Sequence, residues 1–321
     1  MSTQTHQPDA QFDRPLLGII LMLGFCISAP AGDAFAKILG DRLPLLELVM
    51  VRFAAQVILL LPLVMIRRLP WRSSGTTLWL VIARTVLHIL GIGMMFSALR
   101  YLPLADAIAI AFVMPFIMLI LGRFVLNETI GRHRIFACIV GFIGTLLVVQ
   151  PSFAQVGAPA FLPLGVAVDF ALFMLVTRQI ARQADPIALQ AVSGGIALLI
   201  LTPLALLGLV APPEGLIGDA IIFKFPENAE TWGYLALIGA LGTIGHLLMT
   251  WSLRYAPSAT LAPMQYLEIP FATIIGWLMF QDFPNGLAAI GILVTTSAGL
   301  YIIWREQASA RRGATPAAKN S

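Results

Sequence analysis

The sharpest chemical signal in the sequence is a carboxylate within an apolar run long enough to cross a membrane. Glu268 lies near the middle of residues 258–280, one helical turn from Gln265 and two residues before Pro270. An ionisable group at such a depth is costly, and a proline frees backbone carbonyls beside it. Two interpretations stay open: Glu268 binds a substrate donor or carries a coupling proton, or it makes a structural hydrogen bond to a neighbouring helix.

Three basic groups and one more carboxylate lie within other apolar runs. Arg84 and His88 are four residues apart and share one helical face. Arg84 is expected to pair with Glu268 or a substrate anion, or to belong to a structural ion pair. His246 is a candidate for titration or a satisfied structural histidine. Asp169 has no cation near it in the sequence and therefore needs a partner from another helix.

Four charged residues are expected near the outer ends of the first two runs. Asp33 and Lys37 are four residues apart in the first run, and Glu47 and Arg52 enter the second run from the same side. Opposite charges at this depth are expected to neutralise one another. The group is predicted to be an outer gate network, with simple structural pairing as the alternative.

Aromatic side chains on the predicted helices suit a flat substrate, because rings stack on planar ligands. Lipid-facing or packing roles remain the alternative for each of them. The candidates are Phe112, Phe116, Trp251, Tyr266 and Trp277.

Composition excludes several classes of protein. Of 321 residues, 59% are hydrophobic and 11% are charged, with a mean hydropathy of +0.88, whereas soluble domains carry about 25% charged residues. An ordinary cytosolic enzyme, a disordered chain and a nucleic-acid binder are therefore excluded. Cys26 and Cys138 lack metal-site spacing. No phosphate-binding loop, zinc motif or serine-hydrolase elbow occurs around Ser193 or elsewhere, so no enzyme activity, metal or cofactor is predicted.

The elements that must position these residues are membrane-spanning helices. A span needs about 20 mostly apolar residues. Ten runs meet this description: 16–39, 44–66, 76–99, 103–126, 134–151, 160–181, 187–210, 231–253, 258–280 and 285–304.

Lysine and arginine in the connecting segments set the orientation. With a cytoplasmic N-terminus, thirteen of them face the inside, and only Arg42, Arg100 and Lys224 face the outside. The bias predicts that both termini are cytoplasmic, with tails at 1–15 and 305–321.

The two halves of the chain repeat. Residues 95–103 read MFSALRYLP and residues 249–257 read MTWSLRYAP; downstream, Pro115 is echoed by Pro270, and Glu128 by Asp282. Each half holds five runs, so the second copy is inverted relative to the first. The expected fold is therefore all-α and integral to the membrane, with ten helices in two inverted five-helix repeats at 16–151 and 160–304. Carriers that work by alternating access have this architecture.

The turn from Leu99 to Ala107, the pair Asn127-Glu128, residues 141–151 and the turn Arg254-Tyr255-Ala256-Pro257 resemble the drug/metabolite transporters with paired EamA domains. The ninth run, around Gln265 and Glu268, is most similar to bacterial riboflavin-uptake carriers. The resemblance implies a secondary carrier of a small organic metabolite in the bacterial inner membrane, with riboflavin uptake as the leading substrate. Export of amino acids or related metabolites is the alternative; a membrane enzyme or scaffold is the alternative from another class.

Overall fold

The computed structural model describes residues 14–72, 74–128, 130–149, 157–210, 216–222, 224–282 and 284–313. Every regular element within these residues is helical. Eight helical segments are long and apolar enough to cross a membrane. Of the ten predicted runs, those at 134–151 and 258–280 are not among these eight. Most of the two predicted tails lies outside the described residues.

Six helices lie in the described residues of the first half of the chain. They are α1 (Pro15–Gly40), α2 (Leu45–Ile66), α3 (Gly75–Ala98), α4 (Leu104–Ala111), α5 (Met114–Phe124) and α6 (Arg132–Val149).

Seven more helices lie in the part of the second half that the structure describes. They are α7 (Phe161–Ala181), α8 (Pro186–Val210), α9 (Leu216–Ile221), α10 (Ala229–Tyr255), α11 (Ser258–Leu261), α12 (Glu268–Phe280) and α13 (Gly286–Gly313). Short 3₁₀ turns at Ala158–Ala160 and Ala262–Leu267 precede α7 and α12. Helix α13 extends nine residues beyond the predicted end of the last run at 304, into the predicted C-terminal tail.

Two runs that were predicted as single helices are broken near their midpoints. Residues 103–126 form α4 and α5, and residues 258–280 form α11, a 3₁₀ turn and α12. Proline explains both breaks: Pro115 and Pro263 lack the N–H that would continue an α-helical ladder. At the first break, Phe112 and Phe116 instead bond to carbonyls three residues back.

Helices from the two halves pack against one another in pairs. Helix α1 packs along α10, α2 along α8, α3 along α7, and α6 along α13. By their order in the two halves, α1 is equivalent to α7, α2 to α8, α3 to α10 and α6 to α13. Exchanging every helix for its equivalent leaves this set of pairs unchanged. Helices α6 and α13 cross at close range, since a Cβ on Gly144 would lie 2.8 Å from the carbonyl oxygen of Gly291. Small residues at such a crossing allow the two backbones to meet.

Candidate functional site

A cavity lies between the two halves, beside the break that separates α4 from α5. Its accessible volume is smaller than the range of about 300–1,000 Å³ that is typical of small-molecule sites. Only about 80 Å³ of it is wide enough for the centre of a water molecule, so the cavity is narrow in this conformation. Helices α1, α2, α3, α4, α5, α7, α10 and α12 supply its lining.

Six ionisable side chains line this cavity: Asp33, Arg52, His88, Asp169, His246 and Glu268. All six are largely buried. None of their side chains donates or accepts a hydrogen bond with another described residue. Buried polar groups are normally satisfied. A set left open around a shared space is therefore arranged for a ligand, water or protons.

The charge within the cavity is unbalanced. Asp33, Asp169 and Glu268 contribute carboxyl groups, whereas Arg52 contributes the single guanidinium among the lining residues. The Arg52 guanidinium carbon lies 6.0 Å from the centre of the Phe96 ring, and its Nη1 is buried without a hydrogen-bond partner. The surroundings thus favour a ligand with positive charge or several hydrogen-bond donors, and they offer one cation for an anionic group.

Flat rings form one wall of the cavity. Phe25 and Phe170 are stacked, with ring centres 5.9 Å apart and planes inclined by 16°. The rings of His88 and His246 lie 4.2 Å apart, and Phe25 meets His246 edge-on at 5.6 Å. Such a wall suits a planar heteroaromatic ligand.

The structure places Arg84 outside the cavity lining and pairs it with neutral groups. Its guanidinium donates to Thr177 Oγ1 at 2.9 Å, to Ser193 Oγ at 2.9 Å and to Gln190 Oε1 at 3.1 Å. It also lies 4.7 Å from the centre of the Phe173 ring. The expected partner Glu268 is not among its contacts. These hydrogen bonds tie α3 to α7 and α8.

The four residues of the predicted outer gate separate into two sets. Asp33 and Arg52 face the cavity. Lys37 instead donates to the carbonyls of the α3–α4 turn, and Glu47 accepts from the backbone N–H of Lys224 at 3.1 Å. The four are not joined in one hydrogen-bonded network, because Lys37 and Glu47 have backbone partners elsewhere.

Several other candidates are packing residues in this conformation. Gln265 donates to the sulfur of Met174 at 2.9 Å, and the Tyr266 hydroxyl donates to the carbonyl of Cys138 at 3.2 Å. Neither they nor Phe116 and Trp251 line the cavity, whereas Phe112 does. Trp277 is 45% exposed on the outer surface of the bundle.

Asp169 has a larger part in the site than the sequence indicated. Its Oδ2 is buried without a hydrogen-bond partner among the described residues, and a Cβ on Gly91 would collide with it. The sequence shows no cation near Asp169, and from this we predicted a partner on another helix. The structure instead places the carboxyl group at an open cavity. The wall residues Phe25 and Phe170 carried no signal beyond their aromatic character.

The described residues contain no group of three or more histidine, cysteine, aspartate or glutamate side chains placed to hold a metal ion.

Curated proteins similar to this chain are named as transporters. An S-adenosylmethionine uptake transporter of Rickettsia felis is 26% identical over 92% of this chain and 96% of its own length. A riboflavin transporter of Rhizobium johnstonii is 28% identical over 74% of each chain. The pseudopaline exporter CntI of Pseudomonas aeruginosa is 25% identical over 87% of this chain and 94% of its own.

One solved crystal structure shares the fold, with a TM-score of 0.66 and 18% identity over 90% of this chain and 97% of that one. Residues 16–150 and 158–305 each match the EamA-like transporter family. These matches cover nearly the whole chain, and the apolar helices fit a multi-pass membrane protein. The chain belongs to the EamA-like transporter family.

Proposed function

We propose that this protein is a secondary carrier that takes up a flat, hydrogen-bonding metabolite by alternating access, with riboflavin as the leading substrate. The observation that carries the proposal is the cavity between the halves, with its six ionisable side chains left free of hydrogen bonds to described residues and its wall of stacked rings. Unpaired polar groups around a shared space bind a ligand strongly only if the ligand supplies the missing partners.

The architecture that we propose has ten spans in two inverted repeats, at residues 16–151 and 160–304. It adds α6 and the broken segment 258–280 to the eight long apolar segments. Support comes from the two family matches and from the exchange symmetry of the helix pairs. Broken helices at corresponding places in the two halves are also typical of such carriers.

In the proposed orientation both termini are cytoplasmic and the protein lies in a bacterial inner membrane. The positive-inside bias supports the orientation. The organisms of the relatives support the membrane.

Riboflavin fits the aromatic wall, since its fused ring system is flat, and its ribityl hydroxyls are donors for the carboxylates. The relative from Rhizobium johnstonii bears the name of a riboflavin transporter. Riboflavin carries no charge, so it would leave the excess of carboxylates over Arg52 uncompensated unless some of them are protonated.

S-adenosylmethionine is the second candidate, and the charge of the cavity favours it. That molecule has a flat adenine ring, a sulfonium cation, an ammonium group and one carboxylate. Three carboxylates and one guanidinium complement this arrangement, and the relative from Rickettsia felis bears the name of an uptake transporter for it. The exporter alternative has a relative in the pseudopaline exporter, but no feature of the cavity favours export.

The deciding experiment measures uptake of radiolabelled riboflavin and radiolabelled S-adenosylmethionine in cells that express the chain, with unlabelled competitors added in excess. We expect saturable uptake of one of the two, and growth of a riboflavin auxotroph on low external riboflavin if riboflavin is carried. A proton uncoupler tests whether the uptake needs a gradient. Uptake of neither compound at confirmed membrane expression would refute both candidates.

A further inference from the structure

The repeated Leu-Arg-Tyr turns do the same structural task at opposite faces of the molecule. One turn follows α3 and the other lies at the end of α10. Arg100 Nη2 donates to the carbonyl of Leu43 at 3.1 Å, and Arg254 Nη1 donates to the carbonyl of Ala184 at 3.4 Å. Each arginine thereby ties its turn to the loop that joins the first two helices of the same half.

The leucine carbonyl of each turn accepts a hydrogen bond from a cation near the C-terminus of the half's first helix. Lys37 on α1 donates to Leu99 at 3.3 Å and to Leu102 at 2.6 Å. Arg178 on α7 donates to Leu253. Leu99 and Leu253 are equivalent positions of the repeat, so Lys37 and Arg178 are equivalent by contact.

A carboxylate residue completes each arrangement. Glu128 follows α5 and Asp282 follows α12, and their backbone N–H groups bond to Gly122 and Gly276 at 2.9 and 3.4 Å. The residue before each has a positive φ, 52° and 60° respectively. The two loops thus share one conformation at an offset of 154 residues.

The two faces differ in whether the carboxylate is engaged. Glu128 lies 3.4 Å from the Arg178 guanidinium. It also accepts from the N–H and hydroxyl of Ser258, at 3.2 and 2.6 Å, and from the N–H of Ala259 at 3.0 Å. Asp282 is exposed and forms no ion pair with Lys37 within 4 Å among the described residues. Asp282, Asp41 and Asp106 are the carboxylates nearest in electrostatic influence to Lys37.

The cavity lies towards the face with the disengaged carboxylate. On α3 it reaches from Leu87 to Phe96, near the end of the helix that leads into the Leu99 turn. Arg84 and its polar partners lie on the other side of the cavity. At the opposite face, the N–H of Arg14 also bonds to the carbonyl of Tyr255 at 3.1 Å. The face with Glu128 is therefore sealed more firmly than the face with Asp282.

We propose that Glu128–Arg178 and Lys37–Asp282 are two equivalent locks at opposite entrances of the carrier, and that closing one accompanies opening the other. This inference rests on the proposed alternating access. In the present structure the Glu128–Arg178 lock is closed and the Lys37–Asp282 lock is open. Neutralising one carboxylate removes stabilisation from only one of two states, so it shifts their populations.

The test measures access to the cavity from each side without any substrate. A single cysteine is introduced as Ala111→Cys in a background in which Cys26 and Cys138 are replaced by alanine, because Ala111 lines the cavity. The full-length protein is labelled with a membrane-impermeant maleimide in right-side-out and in inside-out vesicles, and the two initial rates are compared.

We expect Glu128→Gln to change the ratio of the two rates at least about fivefold, the low end of measured site couplings, by reducing access from the Lys37 face. We expect Asp282→Asn to change the ratio in the opposite direction. Arg178→Gln removes the same ion pair as Glu128→Gln but leaves the bonds to Ser258 and Ala259, and it should act in the same direction. Arg178→Gln replaces Glu128→Gln in the test if Glu128→Gln does not fold.

The matched control is Glu306→Gln, which breaks an ion pair of 2.9 Å with Arg134 between α6 and α13. It should leave the ratio unchanged. The proposal would be overturned if Glu128→Gln and Asp282→Asn changed the ratio of the two labelling rates in the same direction. It would also be overturned if neither changed the ratio at matched amounts of folded protein. Because labelling needs no substrate, failure of the uptake assays and failure of the locks are distinguishable. An inverted topology would exchange the two vesicle types but keep the two variants opposed.

Discussion

Glu268→Gln tests whether the cavity carboxylate takes part in transport. The Glu268 side chain faces the cavity and accepts no hydrogen bond from another described residue. The structural alternative, a hydrogen bond to a neighbouring helix, has no support in these contacts. Glutamine keeps the shape and one acceptor oxygen, so the variant should insert and fold as the wild type does.

The size of the effect follows from the kind of contact that would be lost. A hydrogen bond to a charged group contributes about 1.5–3 kcal/mol, and each 1.36 kcal/mol is tenfold in rate. If the substrate or a coupling proton uses the carboxylate, transport should fall by about ten- to 150-fold. The free energy of insertion should not become less favourable, because a central carboxylate costs about 2.5–3.5 kcal/mol on insertion scales.

The assay is the initial rate of radiolabelled uptake at matched expression, measured between about pH 5.5 and 8. If a proton passes through Glu268, the residual rate should also lose its pH dependence. Glu306→Gln, which removes a carboxylate outside the cavity, should keep the wild-type rate. Wild-type transport in Glu268→Gln across this range would refute the reasoning and leave Asp169 as the next candidate.

Three further results are expected. Reporter fusions after Arg72 should report cytoplasm and those near Gly218 the outside, because basic residues cluster on one side; the reverse pattern would contradict the orientation. Gly144→Leu should lower the free energy of unfolding by about 1–3 kcal/mol, measured by thermal unfolding, because the larger side chain overpacks the α6–α13 crossing. Gly93→Ala should leave it unchanged, because a Cβ there would meet nothing within 4 Å. Arg84→Gln should lower the melting temperature by removing bonds to three helices, and an unchanged melting temperature would show that this cluster is not structural.

The sequence predicted an all-helical chain, and eight of its ten runs correspond to helical segments long and apolar enough to cross a membrane, because apolar length is the dominant constraint in a bilayer. It placed Glu268, His88 and His246 inside spans, and they do line the cavity. It could not place Arg84, because an intramembrane cation can be satisfied by neutral hydroxyls and amides as well as by a carboxylate. The partners of Arg84 include Ser193 and Thr177. Such small polar side chains change the mean hydropathy of a run only slightly.

The breaks in the two discontinuous segments were hidden for a similar reason. Hydropathy averages over about 19 residues, so a run such as 103–126 reads as one helix even when Pro115 ends the hydrogen-bond ladder. The repeated prolines were visible, at positions 115 and 270. The second break nevertheless lies earlier than Pro270, around Pro263 and the 3₁₀ turn Ala262–Leu267. Local backbone geometry there depends on packing against α1, α5 and α13.

The repeat in the sequence also gains a physical explanation. Arginine recurs in the two turns because its side chain holds a loop, and leucine recurs at a position whose side chain is buried. The backbone carbonyl at that position accepts from a lysine or arginine in both halves. Neither contact depends on the end of the helical bundle at which the turn lies, so one short motif does the same structural task at both ends. The carboxylates differ by one methylene, Glu128 against Asp282, and in this structure the longer one is engaged while the shorter is not. In the proposed carrier these turns lie at the two entrances, and carboxylates of different reach would make the two closed states unequal in stability.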